Sequence, residues 1–231
     1  DGNVTEVRKQ IGDPLHSRPV IVTYGGTDTS PDTTVFVATN EGFLHAVDGE
    51  TGAEQFAFMP QELLVNLNTF YTNTSSTTRP YGLDGTITVR VVDNNANNII
   101  ETSNGDLVHL YVGMRRGGRN YYALDVTDRA NPKVLWTIKG GSGSFVELAQ
   151  SWSAPTLGKV QIGNTTYNVL IFAGGYDSDQ DAYPTQTADT EGRAIYIVNA
   201  ADGSLLWSAG VSTGTFENKY AAMQYSIPSD I

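Results

Sequence analysis

Three aspartates in the segment YDSDQDAY have the spacing in this sequence that most resembles a metal site. Asp177, Asp179 and Asp181 alternate along the chain, and a curled loop lets alternate side chains converge their carboxylate oxygens on a hard cation such as calcium. The segment departs from the usual calcium-loop pattern, because Ala182 stands at the sixth position instead of glycine and Ala188 at the twelfth instead of glutamate. The spacing therefore predicts a weak calcium site, and the alternative is a solvated acidic insertion.

A second set of oxygen-bearing side chains occurs in the segment DNNANNIIE. Asp93, Asn95, Asn97 and Glu101 could also present oxygens to a cation. Asn and Asp are, however, the residues that long β-turns favour, because their side chains hydrogen-bond nearby backbone amides. A hairpin turn is the simpler interpretation.

The remaining reactive side chains form no recognisable catalytic pattern. His16, His45 and His109 share no metal-ligand spacing and are interpreted as strand or core residues. The sequence contains no cysteine, which excludes thiol catalysis and disulfides, and it contains no G-x-S-x-G, H-E-x-x-H or phosphate-loop motif. We therefore predict no catalytic or cofactor-binding residue.

The charge of the chain argues against polyanionic partners. Its 231 residues carry 14 basic and 25 acidic side chains, for a formal net charge of −11. Such a surface repels phosphates, and the best basic candidate, formed by Arg115, Arg116 and Arg119, is interrupted by glycines. Nucleic acid is therefore excluded as a partner, and no apolar run is long enough to predict membrane insertion.

The strands and turns that would position these residues belong to a sequence unit that recurs three times. Each copy has a strand that ends in Asp or Asn, a turn, and an aromatic residue that begins the next strand. The pairs are Asp48 with Phe56, Asp125 with Trp136, and Asn199 with Trp207. The short polar side chain can bond the turn amides, a glycine such as Gly52 or Gly203 supplies a positive φ, and the aromatic is expected to pack between units.

These repeats predict an all-β fold, namely a partial β-propeller with long insertions. The unit at Ala46–Phe56 is similar to the blades of quinoprotein propellers, so the blades are expected to be quinoprotein-like. The insertions fall at residues 61–79, 93–106 and 175–192, and Pro60–Tyr71 is the best candidate for a short helix. The motifs HSRPVIV, SWSAPTLGKV and YSIPSDI each open a unit. Residues 1–231 are thus expected to hold about three blades and the start of a fourth, as a portion of one propeller domain.

Six ordered motifs, including VFVATNEGFLHAVDGETGAEQF, VGMRRGGRNYYALDVTD and FAGGYDSDQD, together resemble the C-terminal propeller of the PilC/PilY type IV pilus biogenesis and adhesion proteins. The resemblance runs from about Gly12 to Ile231. It implies a non-enzymatic, exported protein of a Gram-negative bacterium, located at the cell surface, outer membrane or pilus. It also implies roles in virulence, in pilus extension and in adhesion, with minor pilins of the pilus tip and a host-cell receptor as partners.

The resemblance further implies calcium as a regulatory ion of the full-length protein. The family's calcium loop follows an IPSD-type strand, so the main site is expected beyond Ile231, and the remaining blades and the N-terminal adhesive region are expected outside this chain. The alternative function is a quinone-dependent (PQQ-type) dehydrogenase, because the unit A-x-D-x-x-T-G-x-x-x-F at Ala46–Phe56 is similar to the tryptophan-docking motif of quinoprotein propellers.

Overall fold

Residues 11–72, 79–182 and 188–231 are described by the computed structural model of the chain. Three sheets, each with four antiparallel strands and the last with a fifth strand added, follow one another along the described sequence, and we number them blades 1 to 3. Blade 1 contains β1 (Val20–Thr27), β2 (Ser30–Ala38), β3 (Leu44–Asp48) and β4 (Glu54–Phe58). Blade 2 contains β5 (Ile87–Val92), β6 (Leu107–Gly113), β7 (Tyr121–Asp125) and β8 (Lys133–Ile138).

Blade 3 contains β9 (Thr156–Ile162), β10 (Thr165–Ala173), β11 (Ala194–Asn199) and β12 (Leu205–Val211). A fifth strand, β13 (Asn218–Tyr220), pairs in parallel with β12. The described helices are short: α1 (Leu67–Thr72) and the 3-10 helices Gln61–Asn66, Thr102–Asn104, Arg115–Gly117, Gly143–Phe145 and Ser178–Asp181. The prediction of an all-β fold with a short helix near Pro60–Tyr71 is confirmed.

The three blades share one strand register. Phe56, Trp136 and Trp207 lie opposite Ala46, Ala123 and Ile197, and the pairing shifts immediately after each of these positions. A β-bulge at the same place in every sheet bends the outer strand in the same way. The repeat seen in the sequence is therefore a repeat of backbone geometry.

Two apolar cores lie between neighbouring blades. The first joins blade 1 to blade 2 and contains Phe36 and Leu44 from one side and Leu110 and Leu124 from the other. The second joins blade 2 to blade 3 and contains Tyr111, Trp136, Phe172 and Tyr196 among others. Because successive side chains of a strand point to opposite faces, blade 2 contributes alternate residues to both cores.

The first insertion is anchored on blade 2 through its 3-10 helix. Glu62 accepts hydrogen bonds from the hydroxyl of Tyr122 (2.8 Å) and the amide of Asn120 (3.0 Å), and Leu63 is buried. The next side chains of this insertion face solvent, as Val65 and Tyr71 show with about four-fifths of their surface exposed. Residues 73–78, which belong to the same predicted insertion, lie outside the described residues.

Candidate functional site

The acidic segment predicted to bind calcium lies in the loop between β10 and β11. Asp177 is 1% exposed, and its carboxylate accepts hydrogen bonds from the backbone N–H groups of Asp179 (2.9 Å), Thr190 (2.7 Å) and Glu191 (3.2 Å). Burial alone raises the pKa of Asp177, but these donors outweigh it and hold the pKa below its ordinary value. Asp177 thus fastens the two ends of the loop together.

The other two aspartates of the segment have different surroundings. Asp181 accepts a hydrogen bond from the hydroxyl of Tyr176 (2.7 Å) and pairs with Arg116 (3.3 Å), and these two partners lower its pKa. Asp179 is exposed. Across the described ranges, no three acidic or histidine side chains are grouped as a metal ion would require. The described part of the loop therefore does not fit the calcium site that its spacing predicts, and residues 183–187 of the same insertion lie outside the described residues.

A further acidic residue of this loop has a structural role that the sequence did not indicate. Asp189 is buried and accepts hydrogen bonds from the side chain of Gln180 and the backbone N–H of Ser226. It joins the loop to the YSIPSDI motif, and Gly175 and Ile227 form a bridge between the same two segments. Only long-range contacts make this role visible, since 37 positions separate Asp189 from Ser226.

The second set of oxygen-bearing side chains forms a hydrogen-bonded turn after β5. Asp93 accepts a hydrogen bond from the backbone N–H of Asn98 (2.7 Å), and Glu101 accepts one from the side chain of Asn97 (3.0 Å). Ala96 and Asn98 have positive φ values of 55° and 62°, which belong to tight turns. Asn95 accepts a weaker bond (3.3 Å) from the backbone of Asn97.

An arginine–aromatic cluster lies beside the acidic loop, on the turn between β6 and β7. The guanidinium of Arg116 stands 5.2 Å from the ring of Trp152, 5.6 Å from Tyr81 and 5.9 Å from Tyr176. Trp152 and Tyr176 also stack, with 4.5 Å between ring centroids. Arg116 therefore brings together the linkers on both sides of blade 2 and the acidic loop of blade 3, through contacts that the electrostatics of the aromatic faces favour.

The two neighbouring arginines are paired with acids as well. Arg115 lies 3.6 Å from Asp84, a fully buried carboxylate that also bonds the ring of His16 at 2.6 Å. Arg119 pairs with Glu191. The three arginines thus act as contacts between blades and linkers.

The three turn residues of the repeat have equivalent surroundings. Asp48 accepts a hydrogen bond from the backbone N–H of Thr51 (2.7 Å), Asp125 from Thr127 (2.9 Å) and Asn199 from Ala201 (3.0 Å). Each side chain closes the turn that follows its strand. The corresponding glycines Gly52 and Gly203 have φ values of 72° and 73°.

The aromatic residues of the repeat differ in burial. Trp136 is 9% exposed, donates its indole N–H to the carbonyl of Ala200 (3.1 Å) and stacks on Tyr111 with 5.8 Å between ring centroids. Its ring also covers Gly203, where a Cβ atom would lie 2.9 Å from the indole. This aromatic of blade 2 therefore docks on the turn of blade 3. Phe56 and Trp207 are only half-buried, so the expected equivalence holds for their register but not for their burial.

The sequence of these three blades also matches a known protein family. The family described as the PilY1 beta-propeller domain matches residues 7–218. The chain belongs to this family. The match covers all three blades, and the predicted resemblance is confirmed.

Relatives of this PilY1-family chain are much longer than the chain itself. A type IV pilus biogenesis factor PilY1 homolog of Xylella fastidiosa (strain Temecula1) is 34% identical over 169 residues, which are 73% of this chain and 12% of that protein. The type IV pilus biogenesis factor PilY1 of Pseudomonas aeruginosa (strain UCBPP-PA14) is 28% identical over 193 residues, which are 74% of this chain and 16% of that protein. The chain therefore spans less than one fifth of either relative.

A solved structure of a relative has the same fold. The PilY1 C-terminal domain of Pseudomonas aeruginosa superimposes with a TM-score of 0.52 at 25% identity, covering 80% of this chain and 31% of that domain. The propeller prediction is thereby confirmed. A quinohemoprotein alcohol dehydrogenase of Pseudomonas putida HK5 gives a TM-score of 0.41 at 15% identity, covering 84% of this chain and 27% of the dehydrogenase. That value is too low to support an assignment. None of the described helices is long and apolar enough to cross a membrane.

Proposed function

We propose that this PilY1-family chain is part of an exported, pilus-associated propeller that supports the biogenesis and extension of type IV pili. The match over residues 7–218 carries the proposal, because the matching relatives are type IV pilus biogenesis factors. In this proposal the propeller acts through protein contacts and not through catalysis. Because the chain spans only 12% and 16% of the two relatives, the activity of the whole protein is part of the proposal.

The proposed partners are the minor pilins of the pilus tip and, for adhesion, a receptor on the host-cell surface. The anchored insertion of blade 1 supports a role in protein binding. Leu64, Val65, Leu67 and Tyr71 are all exposed, while Glu62 holds the insertion on blade 2. Apolar side chains displayed together on an anchored element are typical of protein-binding surfaces. The proposed location is the cell surface of a Gram-negative bacterium.

Calcium regulation is proposed for the full-length protein and not for a described residue of this chain. The test is a calorimetric titration of the chain and of its Asp179→Ala variant with calcium. If the chain gives a heat of calcium binding that Asp179→Ala does not give, the acidic loop contains a calcium site. If the chain gives no heat of binding, the regulatory calcium site lies in other parts of the full-length protein.

The pilus assignment is tested in the source bacterium by an in-frame deletion of the three blades from the full-length gene. We expect surface pilin and twitching motility to fall while the shortened protein is still exported, as an immunoblot would show. Normal piliation of the deletion strain would contradict the proposal. Dye-linked oxidation of alcohols by the purified chain with added quinone would contradict the non-enzymatic part.

A further inference from the structure

A cleft of about 680 Å³ lies between blade 1 and blade 2, away from the arginine cluster. Tyr24 and Asp32 contribute to it from blade 1, Ile99 comes from the loop after β5, and Asp128 and Arg129 come from the turn after β7. Its volume falls within the range of about 300 to 1,000 Å³ that is usual for ligand-binding sites. Neither the family match nor the proposed function assigns a role to it.

The floor of the cleft is preorganised by a single arginine. Arg129 donates two hydrogen bonds to the carboxylate of Asp32 (2.7 and 2.6 Å) and a third to the hydroxyl of Thr34 (3.1 Å). Its guanidinium also lies 4.2 Å from the ring centroid of Tyr24. A bidentate, stacked arginine is held in one geometry and its charge is compensated. The floor is therefore rigid and offers no free positive charge to an anion.

The rim combines an apolar surface with carboxylates. Ile99 is 45% exposed, and Asp128, which also lines the cleft, is exposed as well. Hydrogen bonds from Asn131 and from the backbone of Ala130, with a smaller effect of Lys133, hold the pKa of Asp128 below its ordinary value. Its carboxylate is thus charged at neutral pH.

A smaller hollow of about 170 Å³ adjoins the cleft, and Asp32 lines both. Asp48 and Glu50 also line this hollow, so it adds carboxylates next to the cleft. Apart from the compensated pair of Arg129 and Asp32, the charged groups of the two depressions are carboxylates. Two adjoining depressions can receive neighbouring side chains of one chain segment.

We propose that this cleft binds a segment of a partner protein in which an arginine or lysine adjoins an aliphatic residue. The aliphatic side chain packs on Ile99, and the cation lies against Asp128 with further carboxylates along the hollow. A protein of net charge −11 attracts basic segments, and the cleft adds an apolar contact that confines them to one place. The inference goes beyond the pilus assignment, because it concerns partner chemistry and is tested without pili.

The test uses amide chemical shifts of the full 231-residue chain, titrated with three capped dipeptides. The probes are acetyl-Ile-Arg-amide, acetyl-Gly-Arg-amide, which lacks the aliphatic group, and acetyl-Ile-Glu-amide, which reverses the charge. We expect the first probe to shift amides of the cleft lining, and the other two to bind more weakly. Ile99→Ser and Asp128→Asn should each weaken binding of the first probe roughly threefold, as the loss of one exposed contact predicts.

The matched control is Asp202→Asn. Asp202 follows Asn199 in blade 3 as Asp128 follows Asp125 in blade 2, and it closes its own turn by accepting from the backbone N–H of Ser204 (2.9 Å). In both positions an asparagine keeps a side-chain oxygen that can accept from the turn N–H. Both substitutions also remove one negative charge, so they change the net charge equally. An equal loss of affinity in Asp202→Asn, shifts spread over the acidic surface, or no shift at about 10 mM probe would overturn the proposal.

Discussion

Trp136 shows how one side chain connects two blades. The indole ring supplies apolar area, a hydrogen bond to Ala200 and close packing over Gly203, where a Cβ would lie 2.9 Å from the ring, all across the interface between blades 2 and 3. Trp207 occupies the same register position in blade 3 but is half-buried. Tryptophan at the same repeat position therefore contributes differently to the stability of blades 2 and 3. Its contribution depends on which residues of the neighbouring turn pack against the ring.

We predict that Trp136→Ala lowers the unfolding free energy by about 3–5 kcal/mol, the usual cost of truncating a buried aromatic. Trp136→Phe should cost far less, because a ring remains and the carbonyl of Ala200 keeps the hydroxyl of Tyr111 as a donor (3.2 Å). Urea unfolding followed by circular dichroism measures both variants. Trp207→Ala should cost less, because Trp207 is only half-buried. An equal cost for Trp207→Ala and Trp136→Ala would contradict the role of burial.

Gly203 and Gly52 form a second matched pair. Both have a positive φ near 72°, but a Cβ at Gly203 would lie 2.9 Å from the Trp136 ring, whereas a Cβ at Gly52 would meet nothing within 4 Å. Gly52→Ala should cost about 1–2 kcal/mol from the left-handed backbone alone. Gly203→Ala should cost clearly more, because it also displaces the ring. Equal melting temperatures for the two variants would show that the ring contact is unimportant.

Asp177 makes the stability of the β10–β11 loop dependent on acid pH. Burial opposes ionisation, yet the backbone donors of Asp179, Thr190 and Glu191 lower its pKa in the folded state. A lowered pKa stabilises the fold fully above the unfolded value, near pH 3.9, and this stabilisation is lost as the pH falls through the folded value. We therefore expect the unfolding free energy of the wild type to fall below about pH 4 more steeply than that of Asp177→Asn. Parallel pH profiles of the two proteins would contradict this role.

At the scale of elements, the S-x-P motifs fasten linkers to strand ends. The hydroxyl of Ser17 accepts from the backbone N–H of Ala38 (3.2 Å), and that of Ser153 accepts from Ala173 (3.1 Å), at equivalent positions of β2 and β10. The following prolines begin strands or precede them, where no ladder donor is needed. Ser226 departs from the pattern by donating its own backbone N–H to Asp189.

Replacing Ser153 by alanine should cost about 1–3 kcal/mol, because the buried N–H of Ala173 loses its acceptor. Ser17→Ala should have a similar effect in blade 1. Ser204→Ala, in an exposed turn, is the control and should change little. Thermal unfolding compares the three. A melting temperature of Ser153→Ala equal to that of Ser204→Ala would mean that another group accepts from Ala173.

At the scale of the whole molecule, blade 2 links two separate cores. Its alternate residues pack toward blade 1 and toward blade 3, so blade 2 is common to both cores. In such an arrangement each blade is stabilised by its neighbours. A destabilising substitution therefore increases local unfolding first in the blades that contact the substituted residue.

Leu110 and Leu170 test this coupling, since both are fully buried and stand at the same register position next to His109 and Val169. Leu110→Ala should increase amide exchange in blades 1 and 2, and Leu170→Ala in blades 2 and 3. Each should cost about 2–5 kcal/mol. Hydrogen exchange read by mass spectrometry resolves the blades. A uniform increase across all three blades in both variants would show a single cooperative unit.

The sequence alone determined the repeat, because the geometry of a strand, a turn and a bulge depends on neighbouring residues. Asp48, Asp125 and Asn199 were recognisable as turn residues, and the all-β class followed from them. Which aromatic is buried was decided by the tertiary structure, since the partner turn lies some 64 positions away from Trp136.

The acidic loop shows the same limit. The spacing of Asp177, Asp179 and Asp181 indicated convergence on a cation, but the fold brings backbone amides to the first and Arg116 to the third. Backbone N–H groups of the same loop occupy the oxygens of Asp177, and Arg116, which lies 65 positions away, pairs with Asp181. The folding of the loop and the packing of blade 2 against it set these positions, and the spacing of three aspartates contains no information about either.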